Sequence, residues 1–177
     1  GITFGGVGSG TIVDHCEVAM NVDDGFEFFG GTVNAKYLSS LFVGDDSFDT
    51  DKGYQGKMQY LLGMLGKEGH HGCEMDGNED ASHTTESAPM VMGMTLVHSY
   101  DNIKADAMMR LREGTRGHFA NLVLSKKSGT VGIRNDLCYG TATSQSTPAD
   151  DNLYVSPTTI MADLYRAGPF DDRCGDK

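Results

Sequence analysis

The sequence predicts an all-β chain wound as a parallel solenoid, with coils of about 22 residues. Three observations point there. An acid pair followed by a small residue and Phe occurs twice, as Asp23-Asp24-Gly25-Phe26 and as Asp45-Asp46-Ser47-Phe48, 22 residues apart. Short apolar, β-branched runs recur between polar corners, which is the pattern of strands broken by turns. Glycine is frequent at 24 while proline is scarce at 4, which suits many tight corners better than a disordered linker. A unit of this size cannot bury its apolar side alone. Stacking the units about 4.8 Å apart gives parallel sheets around one continuous core.

Taken in order, the chain opens on "GITFGGVGSG", which reads as the interior of a structure rather than a beginning. We therefore expect a processed or partial chain, beginning inside a coil. Four strands follow in "GTIVDHCEVAMN", "TVNAKYLSSLFV", "PMVMGMTLVHSY" and "HFANLVLSKK". Between them run shorter strands centred on Phe26, Phe48, Cys73, Met109 and Val131, whose apolar centres should stack inward. The segment "DGNEDASHTTESAP" lengthens the step between Cys73 and Met109, so an excursion loop is expected at about 76–90. The solenoid is expected over 1–140 and a C-terminal tail or cap over 141–177. There "SPTTIMADLYRAG" has Ser156 as N-cap and Pro157 at the first helical position of a short helix. Such a tail would cover the open end of the sheets.

These segments also resemble a known family. "GGVGSGTIVDHCEV", "DDGFEFFGGTVNAKYL", "GDDSFD" and "RLREGTRGHFANLVL" are similar to segments of secreted right-handed parallel β-helix proteins of bacteria and microbial eukaryotes. The resemblance covers roughly 1–140. It implies a right-handed parallel β-helix and an extracellular or cell-surface location. The wider class holds polysaccharide lyases and hydrolases, tailspikes, adhesins and structural fibres, so the fold does not choose among functions.

Charge narrows the choice. Asp and Glu number 25 against 14 Lys and Arg, for a net charge of −11. Phosphates would be repelled, which excludes a nucleic-acid binder. No apolar run approaches the roughly 20 residues of a membrane helix.

The acid ladder is the most informative motif. Asp23 falls on Asp45, Asp24 on Asp46 and Glu27 on Asp49, with Glu74 continuing the last column. Stacked like charges repel by about 1 kcal/mol at high dielectric, and more when shielded from water. Three arrangements would offset that. The corner acids Asp23, Asp24, Asp45 and Asp46 can accept backbone N–H bonds in turns. They can hold Ca²⁺, which takes six to eight oxygens. Or two carboxylates can serve glycoside hydrolysis, which needs them about 5–10 Å apart.

Further along, "KEGHHGCEMD" gathers His70, His71, Cys73 and Glu74, with His83 beyond, as transition-metal ligand types. Against a metal there, Cys73 belongs to the inward column, and the histidines fall on the corner positions of Asp45 and Asp46. The run "RLREGTRG" supplies Arg110, Arg112 and Arg116, and "IRND" supplies Arg134 and Asp136. Arg110 continues the Glu27–Asp49–Glu74 column, so an Arg110–Glu74 ion pair across coils is expected.

Aromatic residues are 8% of the chain and Trp is absent, which gives little support for a glycan platform; Tyr37, Tyr54 and Tyr60 are the candidates for exposed rings. Four cysteines are too few for a disulfide scaffold, but Cys138 and Cys174 bracket the tail and are candidates for a bridge. Ser/Thr tracts such as "TATSQSTP" suit O-linked sugars.

The leading expectation is a non-catalytic extracellular structural protein. It would be the building block of a surface layer, appendage or filament, assembling head to tail as a homo-oligomer or homopolymer. The rivals are a polysaccharide lyase or hydrolase using corner carboxylates with Ca²⁺, and an adhesion or glycan-binding module.

Overall fold

A computed structural model describes residues 1–78, 85–126, 130–136, 153–155, 160–163 and 170–172. Fourteen strands are present among them and no helix. In chain order they are β1 Ile2–Gly5, β2 Ile12–Ala19, β3 Phe26–Phe29, β4 Asn34–Leu41, β5 Phe48–Asp51, β6 Lys57–Leu65 and β7 Cys73–Asp76. There follow β8 Met90–His98, β9 Ala107–Arg112, β10 Gly117–Lys126, β11 Val131–Asp136, β12 Leu153–Val155, β13 Ile160–Asp163 and β14 Phe170–Asp172.

Odd and even strands separate into two parallel sheets. The first runs β1-β3-β5-β7-β9-β11-β14, and the second runs β2-β4-β6-β8-β10-β12, with β13 also on β10. Each coil contributes one short strand to the first sheet and one long strand to the second. Ile2, Phe26, Phe48, Cys73, Met109 and Ile133 stand one above another, so successive coils take 24, 22, 25, 36 and 24 residues. The longest step, of 36 residues, runs from Cys73 to Met109.

One register expectation is corrected. Met109 pairs with Ile133, and Val131 pairs with Ala107. The last coil is thus two residues longer than the repeat read from sequence. A slip of two leaves the inward face inward, because strand side chains alternate with period two.

The core forms as that alternation dictates. In β3 and β5 the pattern is buried, half-buried, buried, half-buried. Phe26, Phe28, Phe48, Cys73, Met75, Met109 and Leu111 point inward from the first sheet and meet Leu38, Leu61, Met94, Leu96, Phe119 and Leu122 from the second. Phe26 and Phe48 stack with ring centres 5.8 Å apart and an interplanar angle of 10°. Burying such a ring contributes roughly 1.5–3 kcal/mol relative to leaving it exposed.

Each long strand bends once. His15, Tyr37, Tyr60, Gly93 and Asn121 occupy one column of the second sheet, and all five have positive φ, between 51° and 72°. A left-handed residue turns the strand through a corner, giving the coil a third side. Only Gly adopts this conformation without strain; Asn tolerates it, and His and Tyr do so at a cost. Part of that cost is offset by stacking: His15 lies 4.5 Å from Tyr37, and Tyr37 5.0 Å from Tyr60.

The helix expected from Ser156 is not formed where it can be followed. Ile160–Asp163 is strand β13, parallel to Val123–Lys126. β12 pairs with Gly117–Phe119 instead, so two short strands stand on either side of the Asn121 bend. The edge of β10 offers a ready row of backbone partners, and sheet pairing outweighs a local cap-and-proline signal. Cys138, Cys174 and His83 lie outside the described residues. Cys16 and Cys73 are free thiols.

Candidate functional site: the acidic corner and the charged face

The corner acids enter the first sheet two residues ahead of each inward aromatic. Asp24 and Asp46 are buried there. Asp24 Oδ1 accepts the backbone N–H of Asp46 at 2.8 Å, and Asp46 Oδ1 accepts that of His71 at 2.7 Å. Each corner therefore caps the next coil through a side chain. This is the turn role of Asp, repeated by the coil period.

His71 continues the column in place of a third Asp. It is fully buried, with Nδ1 2.9 Å from Asp46 Oδ1 and Nε2 3.2 Å from Asp106 Oδ1. Asp106 in turn pairs with Arg134. Burial alone would lower the imidazole's pKa, but its hydrogen bonds to Asp106 and Asp46 prevail and push it up to about 9. The imidazolium between two carboxylates thus joins three successive coils, and Arg134 extends the chain to a fourth. His71 and Arg134 also hold the Asp106 carboxyl well below the usual range.

Asp23, Asp45 and His70 form the outer column of the same corner. One ligand atom each from Asp23, Asp24 and Asp45 lies within 4.8 Å of the others, and the same holds for Asp46, His70 and His71. Asp23 and Asp45 are thus brought together with Asp24 as the ladder required. One oxygen each of Asp24 and Asp46 is engaged by backbone.

Beside the corner, the outer face of the first sheet carries two charged columns. One runs Thr3, Glu27, Asp49, Glu74, Arg110, Arg134; the other runs Asp51, Asp76, Arg112, Asp136. Towards the C-terminal coils the charges alternate and pair. Arg110 reaches Glu74 at 3.1 Å and Asp136 at 2.9 Å. Arg112 reaches Asp76 at 2.6 Å, Glu113 at 2.8 Å and Glu74 at 3.5 Å. The expected Arg110–Glu74 pair is therefore present. The three carboxylates around Arg112 hold its guanidinium above the ordinary arginine range.

Towards the N-terminal coils the acids are not matched. Burial pushes the Asp49 carboxyl up to about 9, with Asp76 and Asp24 adding repulsion. Its Oδ1 is buried without a hydrogen-bond partner. Asp24 is raised to about 8, first by burial and then by its hydrogen bond to Glu27, while Glu27 is lowered by the same bond. Asp24 therefore keeps the proton and Glu27 the charge. Thr3 Oγ1 also donates to Glu27 Oε2 at 2.6 Å.

The expected aromatic candidates divide. Tyr37 and Tyr60 are exposed on the bend, whereas Tyr54 is buried and donates to the Val33 carbonyl at 2.8 Å. Arg116 pairs with Glu86 of the excursion, away from the charged face. Sequence reasoning missed Asp106, which lies 35 residues from His71 inside the lengthened coil. It also missed the bend column, although His15, Tyr37 and Tyr60 repeat at 22 and 23 residues.

Two parallel sheets, a single inward ladder and a charged outer face define a right-handed parallel β-helix. Residues 1–163 match the family model described as a pectate-lyase-like β-helix domain, and the chain belongs to that family. No curated protein and no solved structure matches it. Among the described residues, no helix is long and apolar enough to cross a membrane.

Proposed function

We propose that the chain is a non-catalytic structural β-helix element of an extracellular layer, appendage or filament, built by head-to-tail stacking of coils. The observation that carries this reading is the use of the charged groups. The Asp24–Asp46–His71–Asp106–Arg134 series and the Arg110 and Arg112 pairs join one coil to the next. A group spent on holding coils in register is not free to turn over a substrate. Arg112, held firmly as a cation by three carboxylates, is unsuited to act as a base in β-elimination. Stacking copies end to end is a non-closing contact, and such contacts make fibres. Electron microscopy and sedimentation of the purified protein test this. Rods or filaments that lengthen with concentration are expected; a strict monomer at high concentration would overturn it.

A second reading is favoured by one observation, the unmatched Asp49. A carboxyl that keeps its proton beside the ionised Glu27 one rung away resembles the split pair of a glycoside hydrolase. Neighbouring rungs place such groups about 5 Å apart, with Ca²⁺ at the adjoining corner neutralising a uronate. Turnover of a polysaccharide by the native protein, lost in Asp49→Asn and Glu27→Gln with the fold retained, would establish it. No turnover across acidic and neutral polysaccharides would remove it.

A further inference from the structure

The corner column changes chemistry once. Asp23 and Asp45 are followed by His70, so the third rung presents an imidazole where the first two present carboxylates. The backbone N–H of His70 donates to the Asp45 carbonyl at 3.0 Å, which fixes the two residues one rung apart. His70 Nδ1 lies 3.3 Å from Asp45 Oδ1 and 3.9 Å from Asp46 Oδ1. Its side chain is 36% exposed and that of Asp45 46%, so an ion can enter from solvent.

We propose that His70 Nδ1, Asp45 Oδ1 and the Asp46 carboxylate form a binding site for a divalent first-row transition ion of the zinc type. Nitrogen and oxygen ligands each about 2.0–2.1 Å from a tetrahedral zinc stand about 3.3 Å apart, which is the His70–Asp45 separation as it stands. The Asp46 carboxylate is held in place from behind. His71 donates to its Oδ1 from both the backbone and the ring. This arrangement fixes a ligand carboxylate through a hydrogen-bonded neighbour, a common device around metals. His71 itself is not a ligand, because both its nitrogens face carboxylates. The fourth position is open to water.

An imidazole with two carboxylates favours a borderline ion over calcium, which takes oxygens alone. The site is distinct from the paired arginines of the outer face and does not rest on either functional reading above. Two cations oppose it, the His71 imidazolium, whose ring lies 3.8 Å from that of His70, and Lys104. The Lys104 ammonium acts on Asp45 and donates to the Gly44 carbonyl at 3.2 Å. The metal would tie the third coil to the fourth at an exposed corner, and so would stabilise the fold by mass action.

The test uses the whole chain, stripped with a chelator and dialysed. Zinc is titrated calorimetrically at pH 7.5, and cobalt is followed by its visible absorption. One zinc per chain is expected, with an intense tetrahedral cobalt band. His70→Ala and Asp45→Asn should each weaken zinc at least tenfold and abolish the band, while leaving the metal-free melting temperature within about 2 °C. Lys104→Gln should tighten binding. His15→Ala, at an exposed histidine outside the site, should change nothing. Affinity should fall at acid pH, as protons compete with the metal for its ligands. Undiminished zinc binding in His70→Ala would overturn the proposal. So would calcium binding as tightly as zinc and indifferent to that substitution, since the acids alone would then be the site.

Discussion

The two ends of the charged face solve one problem differently. In the C-terminal coils, Glu74, Asp76 and Asp136 meet Arg110 and Arg112 across rungs, although burial still raises the Asp76 carboxyl to about 8. In the N-terminal coils, Glu27 sits above Asp49 in the same column, and no arginine intervenes. There the repulsion is relieved by protons: Asp24 and Asp49 hold theirs to about pH 8 and 9. A parallel ladder places like positions on top of one another, so one letter per coil decides between an ion pair and a neutral acid. His71 lies between the two regimes, acting as the cation that serves the corner acids.

That contrast can be broken at its centre. Replacing His71 by Ala leaves Asp46 and Asp106 without the cation between them, and should cost about 3–5 kcal/mol in urea denaturation. Next in size is the paired end. Arg112→Met removes the cation beside Asp76, and a loss of about 2–3 kcal/mol is expected; Asp76→Asn added to it should recover part of that loss, which a double-mutant cycle would read.

The unpaired end should behave in the opposite sense. The folded-state pKa of Asp49 is about 9 against 3.8 for the free side chain, so the fold binds a proton that the unfolded chain has released. Stability contributed by Asp49 is therefore lost progressively as pH rises from about 4 to 9. Asp49→Asn should match the native protein at about pH 2.5, where its carboxyl is protonated in both states, and exceed it by about 1–2 kcal/mol at pH 9, the cost of charging a buried unpaired group. A variant that is less stable at every pH would show that Asp49 is instead an ionised, partnered carboxylate. His71 acts in the same direction. Its raised pKa supplies stability that is complete below about 6.5 and lost as pH rises through 9. The native protein should thus weaken steeply between pH 7 and 10, and His71→Ala should flatten part of that slope.

The smallest effect belongs to the aromatic bend. Tyr37→Ala removes two stacking contacts but keeps a non-Gly residue at φ 54°, and should cost about 1 kcal/mol. Tyr37→Gly loses the same stacking but relieves the left-handed strain, so its melting temperature should lie closer to the native value than that of Tyr37→Ala.

Much of this architecture was legible in the letters alone. Phe26, Phe48, Cys73 and Met109 repeat as inward centres because a coil that cannot bury its own apolar side must be copied. The Asp-Asp corners repeat with them, and Arg110 fell on Glu74 by the same register. Local signals failed where a sheet edge competed with them, as at Ile160–Asp163, or where the coil length changed, as at Ile133.

Sequence periodicity determined the coil, its inward column and the succession of charges along the outer face, since in a parallel stack equal positions in successive repeats become neighbours in space. Only the tertiary structure decided how each charge is used. Asp24 and Asp46 turn one oxygen to backbone, Asp106 reaches His71 from 35 residues away, and Asp49 keeps its proton. Those outcomes depend on burial and on partners from lengthened coils, which no spacing rule within one strand contains.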